Sequence, residues 1–105
     1  MEESSDRAED LVTVSMRRPT TYYASTLYAK FRSNEILHVE GRDQAIAPTA
    51  EIVQTIQATG DATIESLSTS YSGDHFRTPH IHISLKRTSQ LEEKFKTIIP
   101  SSNSS

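Results

Sequence analysis

A chain of 105 residues with 34% hydrophobic content suffices for one small domain with a modest core. It contains no cysteine, which excludes disulfides, thiolate chemistry and cysteine-ligated zinc, and no apolar run long enough to cross a membrane as a helix. The net charge of −3 arises in residues 1–10, which carry five acids and Arg7, while residues 11–105 carry ten bases and nine acids, so any anion binding must come from local clusters.

Residues 1–10 are charged and aperiodic, which predicts an acidic disordered tail. They show no apolar signal-peptide core, and the expected location is cytoplasmic or nuclear. Leu11 to Ser15 alternates, with Val12, Val14 and Met16 on one face, and reads as a strand. Pro19 then sits just before or within the first turn of a helix, where its missing N–H costs nothing. Tyr23, Leu27 and Phe31 form one apolar stripe on that helix, which should end near Ser33 or Asn34. Ile36 to Val39 is a short strand closed by Gly41.

A second helix fits Asp43 to Thr59, with Ile46, Ala50, Val53 and Gln57 on one stripe and Ile52 and Ile56 widening it. Pro48 must lie in its first turn, and Gly60-Asp61 is a suitable stop. Ala62 to Tyr71 reads as a strand whose apolar parity changes between Ile64 and Leu67, the mark of a bulge. Ser72 to Thr78 is a long hairpin loop, and His80 to Lys86 is a strand with Ile81, Ile83 and Leu85 on one face. The domain spans 11–88; residues 89–105 are a short helical or disordered Ser-rich tail, with a helix possible over Gln90 to Ile99. The order β-α-β-α-β-β predicts an α+β fold, with two helices on one face of a four-stranded mixed sheet and a long final hairpin.

Arg17 and Arg18 stand at a strand-to-helix junction beside the free N–H groups of a helix N-terminus, which makes a phosphate-binding corner. Arg42 either joins that surface or pairs with Glu40 or Asp43. Tyr22 is the tyrosine of the first helix placed for stacking on a base, since the stripe assigns Tyr23 to the core. His80 and His82 share one strand face, with Asp74 and His75 near them in sequence. Such a pair suits a metal or a two-histidine phosphoesterase, but a second His-x-Ser motif is missing, because His38 is followed by Val39-Glu40.

The ordered set of motifs resembles the Alba family of small nucleic-acid-binding domains. The resemblance rests on the strand leading to Arg17-Arg18-Pro19, and on the helix Tyr22 to Phe31 after it. It rests also on Gly41-Arg42 with Ala45-Ile46 and Ala50-Glu51-Ile52-Val53, and on the hairpin closing at Arg77-Thr78-Pro79 before the last strand. It implies a homodimer or heterodimer with another Alba-like chain, and sequence-tolerant RNA or DNA binding without catalysis or cofactor. In the family the basic pair meets phosphates and the hairpins reach out as arms; Arg17, Arg18, Arg42 and Arg77 match those positions. Two departures stand out: the pair is Arg-Arg rather than Lys-Lys, and Asp74 offsets Arg77 in the arm. The near-neutral domain fits an RNA-binding member better than a bulk DNA coat.

The sequence thus points to a non-catalytic RNA- or DNA-binding domain, with Arg17, Arg18, Tyr22, Arg42 and Arg77 as candidate contacts and no metal. The alternatives are a small phosphoesterase or metal-dependent enzyme using His80 and His82, and a protein-interaction subunit of a ribonucleoprotein whose partner supplies the basic charge.

Overall fold

A computed structural model describes residues 9–73, 75 and 77–98. Most of the acidic segment 1–10, and Asp74 of the hairpin, lie outside the described residues. Strand β1 (Leu11–Val14) buries Val12 and Val14 and turns Thr13 outward, the two-residue period of a half-buried strand. It pairs in parallel with β2 (Ile36–Arg42), Val12 opposite Val39 and Val14 opposite Gly41. Parallel neighbours require a crossover, which α1 (Thr20–Phe31) supplies. Pro19 is its N-cap, in extended backbone, and Tyr23, Leu27 and Phe31 are buried as their spacing predicts. The helix stops at Phe31, short of the expected Ser33 or Asn34: the Arg32 and Ser33 N–H groups bond only three residues back, to the Ala29 and Lys30 carbonyls, and the Asn34 side chain donates Nδ2 to the Lys30 carbonyl.

Strand β2 runs through Gly41 rather than closing at it. A 3₁₀ turn (Asp43–Ala45) then leads into α2 (Ile46–Ala58), entered through Asp43 at φ 59°, a left-handed conformation that aspartate tolerates better than most residues. Pro48 falls in the first turn, as required. The buried stripe is Thr49, Ile52, Val53 and Ile56; Ile46 packs only partly and Gln57 is exposed. The buried face thus lies to one side of the expected stripe, because a threonine that counts as polar in the sequence is buried here by donating its hydroxyl to the Ala45 carbonyl at 2.7 Å.

Gly41 lies under this turn. A β-carbon there would collide with Thr49 Oγ1 and sit 2.9 Å from the Ala45 carbonyl oxygen. Gly41→Ala should therefore destabilise the domain by about 1–3 kcal/mol, since the backbone oxygen cannot move aside without shifting α2. Urea denaturation checks this; a midpoint equal to wild type would show that β2 and the turn do not approach so closely.

Gly60, at φ 87°, ends α2 and donates to the Gln57 carbonyl, as its position predicts. Strand β3 (Ala62–Ser72) carries a register shift between Ile64 and Ser66, where the change of parity indicates a bulge. The bulge returns Leu67 to the face shared with Ile83 of β4 (Thr78–Arg87). The sheet order is β1-β2-β4-β3, with β4 antiparallel to both its neighbours. Strands and helices alike run a few residues longer or shorter than the periodicity suggests, but their order is the predicted one.

The two helices cover one face of this mixed sheet, and their buried residues meet Leu37, Val39, Ile83 and Leu85 in the core. The fold is α+β, and a third helix follows. Helix α3 (Ser89–Ile98) buries Leu91 and packs Phe95 partly against the same core. The other sheet face carries half-buried and polar side chains, among them His38, Glu40, His80, His82 and Ser84.

Candidate nucleic-acid interface

Because β1 and β2 are parallel, their C-terminal ends share one edge of the sheet, and each feeds a helix there. The N-termini of α1 and α2, each worth roughly half a positive charge, therefore lie at the same edge. Arg17 and Arg18 occupy the turn from β1 into α1, and Arg42 is the last residue of β2; all three are exposed. Thr13, Ser15, Met16, Arg42, Asp43 and Gln44 line a groove of about 350 Å³ at this edge. Among the described residues, neither these three arginines nor Arg77 makes an ion pair, so the Arg42 guanidinium is not taken up by Glu40 or Asp43.

The arginine turn is fixed from the core. Tyr23 buries its ring, yet its hydroxyl accepts from the Ser15 N–H at 3.1 Å and lies 2.9 Å from Ser15 Oγ. Ser15 Oγ in turn accepts the Arg17 N–H at 3.3 Å, a serine turn that orients the pair. The Arg18 guanidinium lies over the Tyr22 ring, 4.5 Å from its centroid, and Tyr22 meets Tyr23 edge-on at 5.1 Å. Helical spacing assigns Tyr23 to the core correctly but misses its hydroxyl; the signal is the serine two residues before the arginine pair.

Strand β3 runs in the same direction as β2, so the β3–β4 hairpin opens at this edge too. Arg42 stands opposite His80, and the two hairpin strands continue beyond it to the pair Ser72–Thr78. Arg77 lies at the hairpin's tip, its guanidinium 5.5 Å from the Tyr71 ring centroid. The sequence pattern marks Tyr71 only as a strand residue, although its side chain is 61% exposed.

The histidines are not arranged as a His80–His82 pair. His80 Nε2 lies 2.7 Å from Ser72 Oγ on the neighbouring strand, whereas His82 Nε2 lies 3.1 Å from His38 Nδ1, which also contacts Ser84 Oγ at 3.0 Å. Residues two apart on a strand share a face but stand well apart, and cross-strand neighbours approach more closely. Among the described residues no group of three or more His, Cys, Asp or Glu side chains is placed to hold a metal ion.

No protein-family model matches the sequence, and no curated protein matches it. The fold does have counterparts. ALBA1 from Trypanosoma brucei superposes with a TM-score of 0.77 at 13% identity, over 86% of this chain and 79% of that one. Alba from Thermoplasma volcanium superposes with a TM-score of 0.62 at 20% identity, over 73% of this chain and 99% of that one.

The fold is Alba-like. Within it, Arg17-Arg18-Pro19 stands at the β1–α1 turn and Gly41-Arg42 at the end of β2. Placed on the Alba-like fold, Arg17, Arg18, Tyr22, Arg42 and Arg77 all fall at one edge. The larger cavity, about 440 Å³ between α1 and α3, lies elsewhere and is lined by Tyr28, Arg32, Leu91, Lys94 and Phe95. At its floor, Asp61 is already held by Tyr28, Thr59, Gln90 and Lys94.

Proposed function

We propose that this protein is a non-catalytic RNA- or DNA-binding domain that works as a dimer and grips phosphates through Arg17, Arg18 and Arg42, with Arg77 reaching out on the hairpin. The observation that carries the reading is the single edge on which two helix N-termini meet exposed arginines that have no ion-pair partner among the described residues, in an Alba-like fold. Guanidinium groups suit bidentate phosphate contact, and the helix ends favour the same anion. Phosphate contact positions the ligand without reading sequence, so recognition rests on backbone and shape.

A second copy of this chain fits the dimer. Met16 and Leu67 expose 62% and 54% of their surface, and Leu67 lies on the helix-side face of β3 where no helix covers it. A small domain gains most from covering such surface by association.

The test is a titration of single-stranded RNA, duplex RNA and duplex DNA at two salt concentrations, on protein whose mass is measured by light scattering. The expected mass is about twice that of one 11.7 kDa chain. Binding should weaken linearly in log–log salt plots on all three ligands. Absence of binding to all three would favour the protein-interaction reading, and a strict monomer would favour a heterodimer.

A further inference from the structure

We infer that the Arg18–Tyr22 and Arg77–Tyr71 pairs are two stacking platforms for unpaired bases, which makes single-stranded RNA the preferred ligand class. This inference rests on the nucleic-acid reading above and deepens it. Two independent segments build the same object. In the first turn of α1, a guanidinium lies 4.5 Å from the centroid of a tyrosine ring that is 44% exposed. On the hairpin, a guanidinium lies 5.5 Å from the centroid of a ring that is 61% exposed. Of the chain's four tyrosines, Tyr23 and Tyr28 are committed to the core or its edge by hydrogen bonds to Ser15 and Asp61. The two that remain open are the two that carry an arginine.

A guanidinium over an aromatic ring is held beside it without consuming its N–H groups. The pair therefore offers a planar face to a base and a donor edge to the neighbouring phosphate. A base inside a duplex has both faces occupied by its neighbours, so only unpaired or terminal bases can use such a platform. Both platforms lie at the phosphate-binding edge, so one strand can leave its backbone on Arg17 and Arg42 while its bases turn onto the rings. The outer sheet face carries the edge-on His38–His82 pair, with ring centroids 5.2 Å apart, but among the described residues no guanidinium lies over it.

The test compares Tyr22→Ala and Tyr71→Ala with Tyr22→Phe and Tyr71→Phe, on an unstructured single-stranded RNA and on duplex RNA of equal length. Each alanine variant should lose about 5- to 150-fold in affinity for the single strand, and the phenylalanine variants should retain it. Duplex affinity should change less than about twofold, and the salt slope should stay at its wild-type value because no phosphate contact is removed. The chain has no tryptophan, so stacking also reports directly as quenching of tyrosine fluorescence on adding the single strand, absent in the double alanine variant. Circular dichroism establishes that the variants fold. Equal losses on single strand and duplex, or alanine variants that bind the single strand like wild type, overturn the stacking while leaving the phosphate reading intact. Wild-type protein that binds neither RNA overturns the stacking, and if it also fails to bind duplex DNA the phosphate reading falls with it.

Discussion

Replacing Arg17 and Arg18 together by alanine should weaken binding to RNA and DNA alike by about 10- to 100-fold near physiological salt, a charge-assisted contact being worth about 1.5–3 kcal/mol before allowance for exposure. The salt dependence should flatten by about one to two units per protomer, because each phosphate that no longer meets an arginine keeps its counterion on binding. The effect should be nearly independent of sequence, in contrast to the single-strand selectivity expected of the tyrosines. The turn itself should survive, since the Tyr23 hydroxyl holds Ser15 and the backbone from inside the domain. Arg17→Lys with Arg18→Lys should keep most of the salt slope but lose part of the affinity, as lysine keeps the charge without the planar fork. Arg77→Ala should do less than the double variant, because its hairpin tip has no second helix end to support it. A folded, dimeric double variant with wild-type affinity would move the phosphate site to Arg42 and the hairpin.

The second large effect concerns stability. Asp61 is 2% exposed and sits where three segments meet: α1, the turn between α2 and β3, and α3. Its carboxylate accepts from Tyr28 Oη at 2.5 Å, Gln90 Nε2 at 2.9 Å and Thr59 Oγ1 at 3.0 Å, and pairs with Lys94 Nζ at 2.9 Å. Burial alone would raise its pKa, but the hydrogen bonds from Tyr28, Lys94, Gln90 and Thr59 outweigh burial and hold it below the ordinary carboxylate value. Burial, and then the bond to Asp61, push the Tyr28 hydroxyl upward.

Asp61→Ala should cost about 3 kcal/mol, since it strands several donors at once, while the half-exposed Lys94 recovers water. Asp61→Asn should cost about 1–2 kcal/mol, because the amide oxygen still accepts from Tyr28 or Thr59. The sign with pH follows from the lowered pKa. The native state releases this proton more readily than the unfolded chain, so the contribution is complete above the ordinary value of about 3.9 and is lost as pH falls through the native value. Tyr28 acts at the other end: its stabilisation is complete below about pH 10 and is lost as pH rises through its raised value. Chemical denaturation of wild type and Asp61→Ala should thus show a gap at neutral pH that narrows in acid below about pH 4. A gap that stays constant into strong acid would mean that the ionised carboxylate contributes nothing.

Local signals in the chain carry the order of elements. Pro19 before an i, i+4, i+8 stripe, Gly60 after α2, and the parity change between Ile64 and Leu67 each have one mechanical meaning, and each is found in place. The same locality picks out the candidate contacts, because Arg17, Arg18 and Tyr22 are neighbours in sequence. That one edge also gathers Arg42 and Arg77 follows from strand direction, which is a property of the sheet rather than of any segment. The histidines show the limit most clearly. Sequence spacing joins His80 to His82, but pairing of β2 with β4 brings His82 to His38, 44 positions away along the chain.

By itself, then, the sequence determined which segments over residues 11–88 become helix or strand, roughly where they stop, and that a basic pair precedes a helix, because these depend on interactions within a few residues. It left residues 89–105 as helical or disordered, and packing of Leu91 on the core decides for helix over Ser89–Ile98. Only the tertiary structure decided that Tyr71 backs Arg77, that the Tyr23 hydroxyl holds the arginine turn, and that Asp61 locks α3 to α1. These contacts close loops of up to 33 residues, and no local propensity encodes which donors a buried carboxylate will meet once the chain has folded around it.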